Sequence, residues 1–377
     1  MDRRNQNLVF AEAGEGAVAC HHHQGQGNQK VSSWFYYAQD NDFEGRFPQS
    51  YASYMISKEP RKAPVFPRLA LLGLFSASLF SFLGAKWPWF SLFSHFQVYL
   101  GLTWVTFLVL FRFIPAFPRA FWQPQRVWKI SMLPLLGHGL LIGTLYLPVT
   151  APELEAPDEI DIIWFNVKFD KDALREFEKR IAHDLPDVLA LGEIGPQTEV
   201  SLPGYSFKVR SPKDNLLLVS RLPLEFSKLV PIPGGGREQI TTRLAVGRRR
   251  VQLVAAHIRQ PIYPVHFDEI HQLAQSAKPI DDVIMVGDFN CTSWSSQFRG
   301  LMDDAELHHG RQGRGVMNTW AIGQGHWMPL PIDHMVYKGA IELTDFEVME
   351  WTSSDHRPIR GKFLLGGKLR RKVSSDN

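Results

Sequence analysis

Polar residues able to bind cations or move protons recur at the ends of the most apolar stretches of this 377-residue sequence. Asn166 closes the run DIIWFN, Glu193 closes DVLALGE, and His257 interrupts VQLVAAHI. Asp288 and Asn290 follow VIMVG, Asp333 follows an apolar Pro-Ile pair, and the pair Asp355-His356 precedes the apolar run that ends near residue 365. One Asp at a strand end is ordinarily a turn or helix cap. A whole series of such sites in order is not something packing requires. Carboxylates and amide oxygens are the hard donors that Mg2+ prefers. A histidine beside them can steady negative charge or donate a proton. The set as a whole fits metal-assisted hydrolysis of a phosphate ester.

Such residues meet only if the strands that carry them run side by side. Buried strands are expected over 161–167 and 187–193, with further strands over 215–221, 238–246 and 251–258. Strands are also expected over 283–286, 332–337, 346–351 and 359–365. Between them, residues 171–183 place Leu174, Phe177 and Ile181 on one helical face, and a second helix is expected over 265–277. Many short strands with few helices imply a layered α/β or α+β sandwich.

At this level of detail the sequence resembles the endonuclease/exonuclease/phosphatase superfamily, with its deoxyribonuclease I-like fold, as a membrane-anchored, bacterial-type member. The resemblance rests on six ordered elements over about residues 159–366. They are Phe165-Asn166-Val167, Leu191-Gly192-Glu193, Ala256-His257, Gly287-Asp288-Phe289-Asn290, Ile332-Asp333-His334 and Ser354-Asp355-His356-Arg357-Pro358. It implies a four-layer sandwich of two packed β-sheets flanked by helices. It also implies roles. Glu193 is the principal Mg2+ ligand (Mn2+ serving as a substitute), helped by Asn166 and Asp355. Asp288 orients or deprotonates the attacking water, and Asn290 holds a phosphate oxygen. His356 contacts the scissile phosphate and is oriented by Asp333, with His257 as a second histidine on the phosphate side. Thr319-Trp320 matches an element found shortly before the Asp333 strand. No counterpart of the active-site tyrosine of apurinic endonucleases is evident.

The first 150 residues are of another kind. No Asp or Glu occurs in the 93 residues from 60 to 152, although about nine are expected from 38 acids in the chain. Three uncharged apolar runs lie in that gap, over 69–85, 89–111 and 130–149, each near the roughly 20 residues that cross a bilayer as a helix. Three transmembrane helices are therefore expected, at about 67–85, 89–111 and 130–149. Arg112, Arg119, Arg126 and Lys129 fill the second loop, whereas acids follow the third run. The positive-inside bias puts the N-terminus and that loop in the cytoplasm, and the C-terminal domain outside it. Residues 1–60, rich in Gly, Gln and Asn and containing His21-His22-His23, read as a disordered cytoplasmic tail. Residues 150–158 read as a linker and 367–377 as a basic tail. Cys20 and Cys291 then lie on opposite faces of the membrane and do not pair.

The net charge of +3 divides into +6 for residues 1–150 and −3 for the remainder, where 28 bases face 31 acids. A domain that grips long duplexes would carry a basic face. The expected protein is an integral inner or plasma membrane phosphoesterase. Its partners are the lipid bilayer and a phosphate-ester substrate: a phospholipid headgroup, a nucleic acid or a nucleotide. The competing class is a non-catalytic membrane binding or scaffold protein that retains the fold; the full set of polar residues argues against it.

Overall fold

The computed structural model describes residues 9–13, 17–21 and 65–368, except 85–86, 116, 119–120, 122, 151–152, 233–235 and 324. Residues 1–62 and 63–377 form separate units. In the first, β1 (Val9–Ala13) and β2 (Ala17–His21) pair as an antiparallel hairpin, with Val9 opposite His21. A fully disordered tail over 1–60 was expected; the rest of that tail, His22 and His23 included, lies outside the described residues.

The second unit begins with α1 (Val65–Leu83), α2 (Pro88–Ser94), α3 (Gln97–Phe113) and α4 (Pro124–Gly143), the last continued by a 3-10 turn over Thr144–Tyr146. The single helix expected over 89–111 is divided in two. His95 and Phe96 form the break, because the His95 ring and carbonyl bind the protein's own loop at 292–294 rather than continuing the helix. By length and composition α1 and the α4 segment are long and apolar enough to cross a membrane, and α3 is a shorter apolar helix.

The bundle is built with its polar groups inside. Ser78 Oγ accepts from the Trp104 indole N–H at 2.8 Å and meets His138 Nε2 at 3.0 Å, while His138 Nδ1 bonds the Gln97 amide oxygen. Leu72, Leu102, Leu133 and Leu140 point outward, the last 73 % exposed. At one end Leu71, Phe107, Phe111, Phe117 and Phe121 cluster, close to Arg68, Arg112 and Arg126 in sequence. The opposite end meets the β-domain: Tyr99 donates its hydroxyl to Pro329 O at 2.9 Å, and Gly313 N–H donates to Leu145 O at 2.9 Å. At 1.5 Å per residue, α3 alone separates the two ends by about 25 Å.

The β-domain holds two six-stranded mixed sheets. One has the order β15 (Ile341–Val348), β16 (Ile359–Lys368), β3 (Leu154–Asn166), β4 (Val188–Gly192), β6 (Leu216–Ser220), β5 (Phe207–Ser211). The other runs β11 (His308–His309), β14 (Asp333–Lys338), β10 (Val283–Asp288), β9 (Arg249–His257), β8 (Arg237–Val246), β7 (Leu224–Ile232). Ile162, Trp164 and Phe363 of the first sheet pack against Leu253, Val286 and Met335 of the second in one dry core. Helix α5 (Lys171–Ile181) covers the outer face of the first sheet through Leu174, Phe177 and Ile181, and Asp170 caps it by accepting from Asp172 N–H and Ala173 N–H. Helices α6 (His266–Ala277) and α7 (Ser296–Ala305) cover the second. The result is the layered sandwich.

Two boundaries differ from expectation for identifiable reasons. β3 begins at Leu154, within the linker expected over 150–158, because Leu154 and Glu155 pair with Lys368 and Gly367. β15 begins at Ile341 rather than Phe346; a bulge between Leu343 and Asp345 puts the inward residues Leu343 and Phe346 out of period-two phase. A hairpin of β12 (Trp320–Ile322) and β13 (Trp327–Leu330) completes the domain.

Gly287 fixes how closely β9 and β10 approach. A Cβ there would stand 2.0 Å from Ala256 O and 2.8 Å from the Phe289 ring, so no side chain fits. Gly287→Ala is expected to destabilise the protein by about 1–3 kcal/mol through overpacking. Chemical denaturation of the full chain tests this, and unchanged stability would show that the strands can separate freely.

Candidate active site

The parallel pairs of the two sheets end side by side. β3 and β4 are parallel and finish at Asn166 opposite Gly192, so Glu193 leaves the sheet beside Asn166. β9 and β10 are parallel and finish with His257 opposite Asp288, while antiparallel β14 begins with Asp333 opposite Asp288. His356 lies just before β16 and bridges to Trp320. Strand ends of both sheets thus deliver the polar residues to one place, which is why they recur after apolar runs.

Asn166, Asp288, Asp333, His257 and His356 are all buried, and Glu193 is partly exposed. Asn166 Nδ2 donates to Glu193 Oε1 at 3.2 Å and to Asp288 Oδ2 at 3.2 Å, while its oxygen accepts from Lys168 N–H at 3.0 Å. Asn290 donates its backbone N–H to Asp288 Oδ1 at 2.9 Å and its side-chain amide to Ile258 O at 2.9 Å. Asp333 is held on both oxygens: Trp164 Nε1–H donates to one at 2.8 Å and His356 Nδ1–H to the other at 2.8 Å. Its backbone N–H donates to Thr319 Oγ1 at 3.0 Å. His356 Nε2 then faces Asp288 Oδ2 at 3.8 Å.

Hydrogen bonds also fix the tautomer of His257. Arg237 Nη1–H donates to His257 Nδ1 at 2.9 Å, so the ring proton sits on Nε2, which faces Glu193 Oε1 at 3.5 Å and Asp288 Oδ2 at 3.7 Å. Burial first, then Arg237 and His356, hold His257 far below the ordinary histidine range, and it is neutral. It is a hydrogen-bond donor to this site. For His356 burial works against the cation, but Asp333, by charge and hydrogen bond, with Asp288 and Asp355, lifts it to about 9. Burial, and then the charges of Asp333 and Glu193, push the Asp288 carboxyl up. Glu193 and Asn290 both adopt left-handed backbone angles, φ 46° and 49°, a strain that clusters at functional sites.

Asp355 is placed apart from Glu193 in its bonding. It pairs with Lys168 Nζ and accepts from Trp320 Nε1–H at 3.1 Å, although it lines the same cavity of about 450 Å³ as Glu193, Asp288, Asn290 and His356. Two sets of ligand atoms come together, Glu193 and Asp288 with His257, and Asp288 and Asp333 with His356. No Lys or Arg salt bridge reaches Glu193 among the described residues, where a neutral histidine and an amide face it. Two hard oxygen donors, buried Asp288 with the cationic His356 3.8 Å away and partly exposed Glu193, fit a divalent cation.

Four further residues had no signal in the sequence reading. Arg237 and its partner Asp214, 2.7 Å away, sit outside the strand-end pattern, and Lys168 follows the Asn166 run in a turn. Trp164 lies inside an apolar run, where an indole reads as core. Only its N–H, aimed at Asp333 from the opposite sheet, marks it.

Among curated proteins none matches the chain in sequence. Solved structures similar to part of it include humanized D. rerio TDP2, at 18% identity over 54% of this chain and 98% of that one, with a TM-score of 0.46. An endonuclease/exonuclease/phosphatase family protein from Bacteroides thetaiotaomicron is 12% identical over 56% of this chain and 99% of that one, with a TM-score of 0.48. The human Nocturnin catalytic domain with bound sulfate is 16% identical over 55% and 97%, with a TM-score of 0.44. The family model described as Endonuclease/Exonuclease/phosphatase matches residues 163–356, just over half of the sequence and the span that holds every one of these site residues. The chain belongs to the endonuclease/exonuclease/phosphatase family.

Proposed function

We propose that this chain is a membrane-anchored, divalent-metal-dependent phosphoesterase whose β-domain lies outside the cytoplasm. The observation that carries the activity is the convergence of Asn166, Glu193, His257, Asp288, Asn290, Asp333 and His356 at the strand ends of both sheets, where Glu193, Asp288, Asn290 and His356 line one cavity.

Glu193 would hold the cation, with Asn166 beside it and Asp288 within the same group of donors. When bound, Mg2+ or Mn2+ neutralises negative charge on the phosphate. The remaining work falls to the chain's own side chains. Asp288 Oδ2 orients a water and takes its proton as the water oxygen bonds to phosphorus. The ester P–O bond breaks in line, and the departing oxygen takes a proton from solvent. His356, cationic and aimed by Asp333, offsets the charge growing on the phosphate oxygens through Nε2–H. His257 donates a second hydrogen bond from Nε2–H, and Asn290, whose amide hydrogens go to Ile258 O and Asp288 Oδ2, positions Asp288 rather than the phosphate. Asp355 acts through Lys168 and Trp320 at the edge of the cavity.

Asp288→Asn keeps the shape of the side chain but removes the base. It is expected to lower Mg2+-dependent hydrolysis of bis(p-nitrophenyl) phosphate by at least about a hundredfold, within the usual range for a positioned base. Chelation with EDTA is expected to abolish the wild-type activity. Wild-type rates for the variant, or activity that survives chelation, would overturn the mechanism.

Asp333 and His356 act as one unit. Alanine at both positions is expected to cost no more in kcat than alanine at the more damaging one. Losses that multiply in the double variant would separate the two roles.

The membrane reading rests on the inverted bundle. Leucines cover its outside, hydrogen-bonded Ser78, Gln97, Trp104 and His138 fill its inside, and the sequence from 60 to 152 has no acid. Arg68, Arg112, Arg126 and Lys129 gather toward the end away from the β-domain, the end that the positive-inside bias keeps in the cytoplasm. A reporter enzyme that is active only outside the cytoplasm is expected to be active when fused after residue 377. Activity from a cytoplasm-only reporter instead would reverse the orientation.

A further inference from the structure

The apolar bundle forms part of the active site. The cavity of about 450 Å³ that holds Asp288 and His356 has Leu92, His95 and Phe96 as its other wall, from α2 and the break after it. This contact is built rather than incidental. Thr292 N–H donates to His95 Nδ1 at 3.2 Å, and Trp294 Nε1–H donates to His95 O at 3.0 Å. Both donors lie in the loop that leaves Asp288 and Asn290, so the helix break grips the segment that carries the proposed base. Because Nδ1 accepts, the His95 proton is on Nε2. That nitrogen is buried without a hydrogen-bond partner among the described residues.

A second cavity, about 590 Å³, lies on the other side of the acids and shares Glu193, Gln260 and Asn290 with the first. Its character is opposite. Lys213, Arg237 and Arg259 line it together with His257 and Asp214, Arg237 pairing with Asp214 and Arg259 with Glu269, and among the described residues none of the bundle lines it. The site is therefore a single reaction centre with two unlike approaches, one walled by Leu92, Phe96, Leu330 and Ile332, the other polar and basic.

The apolar approach continues onto the outside of the molecule. Trp89 is 77 % exposed in the same helix as Leu92, and Ile262 at the cavity rim is 60 % exposed. Trp327 and Met328, also exposed, sit on the β12–β13 hairpin that Tyr99 of α3 ties down through Pro329 O. A nucleic-acid strand carries charge through its whole length, and beyond Glu193, Asp288, Asn290 and His356 at the reaction centre the helix-side cavity offers it Leu92, Phe96, Ile262, Leu330 and Ile332 and the cation Lys168, which Asp355 already pairs. A molecule with a long apolar portion on one side of its phosphate and a polar portion on the other matches both approaches.

Resting on the phosphoesterase reading above, we infer that the substrate is a long-chain phospholipid drawn from the bilayer. Its phosphate ester sits at Glu193, Asp288 and His356, its apolar portion lies along Leu92 and Phe96, and its polar headgroup occupies the basic cavity.

The test uses the full-length protein in detergent micelles with Mg2+. Micelles are doped with long-chain phosphatidic acid, phosphatidylglycerol or phosphatidylcholine. The same headgroups on butyryl chains, a single-stranded DNA oligonucleotide and bis(p-nitrophenyl) phosphate complete the panel. At least one long-chain lipid is expected to be hydrolysed with kcat/KM at least tenfold above its butyryl counterpart and above the oligonucleotide. Leu92→Asp and Phe96→Asp are each expected to lower that long-to-short ratio by about tenfold, whereas Leu92→Met, which keeps the wall apolar, retains it. Preference for the oligonucleotide or for the butyryl esters overturns the inference, as does an equal loss on long and short esters in both Asp variants. Hydrolysis of bis(p-nitrophenyl) phosphate without hydrolysis of any lipid overturns it while leaving the phosphoesterase reading intact. Failure on every ester removes that reading as well.

Discussion

Two buried carboxylates, Asp288 and Asp333, face each other across the β10–β14 ladder. Burying like charges this close is unfavourable unless each is hydrogen-bonded or neutralised. Much of the domain is arranged around that requirement. Asp333 takes an indole N–H from Trp164 and an imidazole N–H from His356; Asp288 takes amide N–H groups from Asn166 and Asn290. Trp164 and Asn166 belong to β3 in one sheet, and the acids belong to β10 and β14 in the other. The polar contacts that make the acids tolerable therefore also lock the two sheets together at one end, while Ile162, Phe363 and Val286 do so through the dry core. Ser354 adds a further stitch, donating its hydroxyl to Asn166 O at 2.9 Å and accepting from His356 N–H at 3.1 Å. Packing and site geometry share one set of residues, so the sandwich cannot slip without misplacing its acids.

That sharing explains what was readable in the sequence. A strand buried on both faces is nearly all apolar, so a polar residue at its end stands out. Asn166, Glu193, His257, Asp288 and Asp333 were found in this way, and parallel pairing carries them to the same edge. Partners supplied from elsewhere left no such contrast. Arg237 opens β8 among other polar residues, and Trp164 hides among Ile163 and Phe165. The same limit applies to ligand geometry. Asn166 and Asp355 are of the right residue types to bind a cation, but backbone and side-chain neighbours decide what their atoms face. The Asn166 oxygen accepts from Lys168 N–H, and Asp355 Oδ2 accepts from the Lys168 ammonium and the Trp320 indole, while Asp355 Oδ1 is buried without a hydrogen-bond partner among the described residues.

Hydropathy located the apolar segment but gave it one role. An uncharged run over 89–111 reads as a single helix because nothing in its composition marks a stop. The break at His95 and Phe96 is a tertiary effect, set by two hydrogen bonds to a loop about 200 residues away in sequence. Leu145, at the end of α4, likewise packs with Trp294, Leu330 and Ile332. The bundle thus has two kinds of surface, an outer one of exposed leucines and an end surface fitted to the β-domain. A β-domain cut away at residue 151 would lose its contacts to His95, Tyr99 and Leu145 together, along with one wall of its cavity.

The charge distribution follows the same division. The β-domain has a net charge of −3 and would not attract a polyanion as a whole. Attraction for a single phosphate need only be local. His356 is cationic at neutral pH because Asp333 supports it, and Arg237 and Lys213 stand at the far side of Glu193. These positive groups are few, and they sit beside the acids proposed to hold a divalent cation. On that proposal such a site would hold one phosphate group well and a long charged strand poorly. Selectivity of this kind needs no large basic face; it needs the cation, two histidines and an apolar wall that makes a second charged group unwelcome.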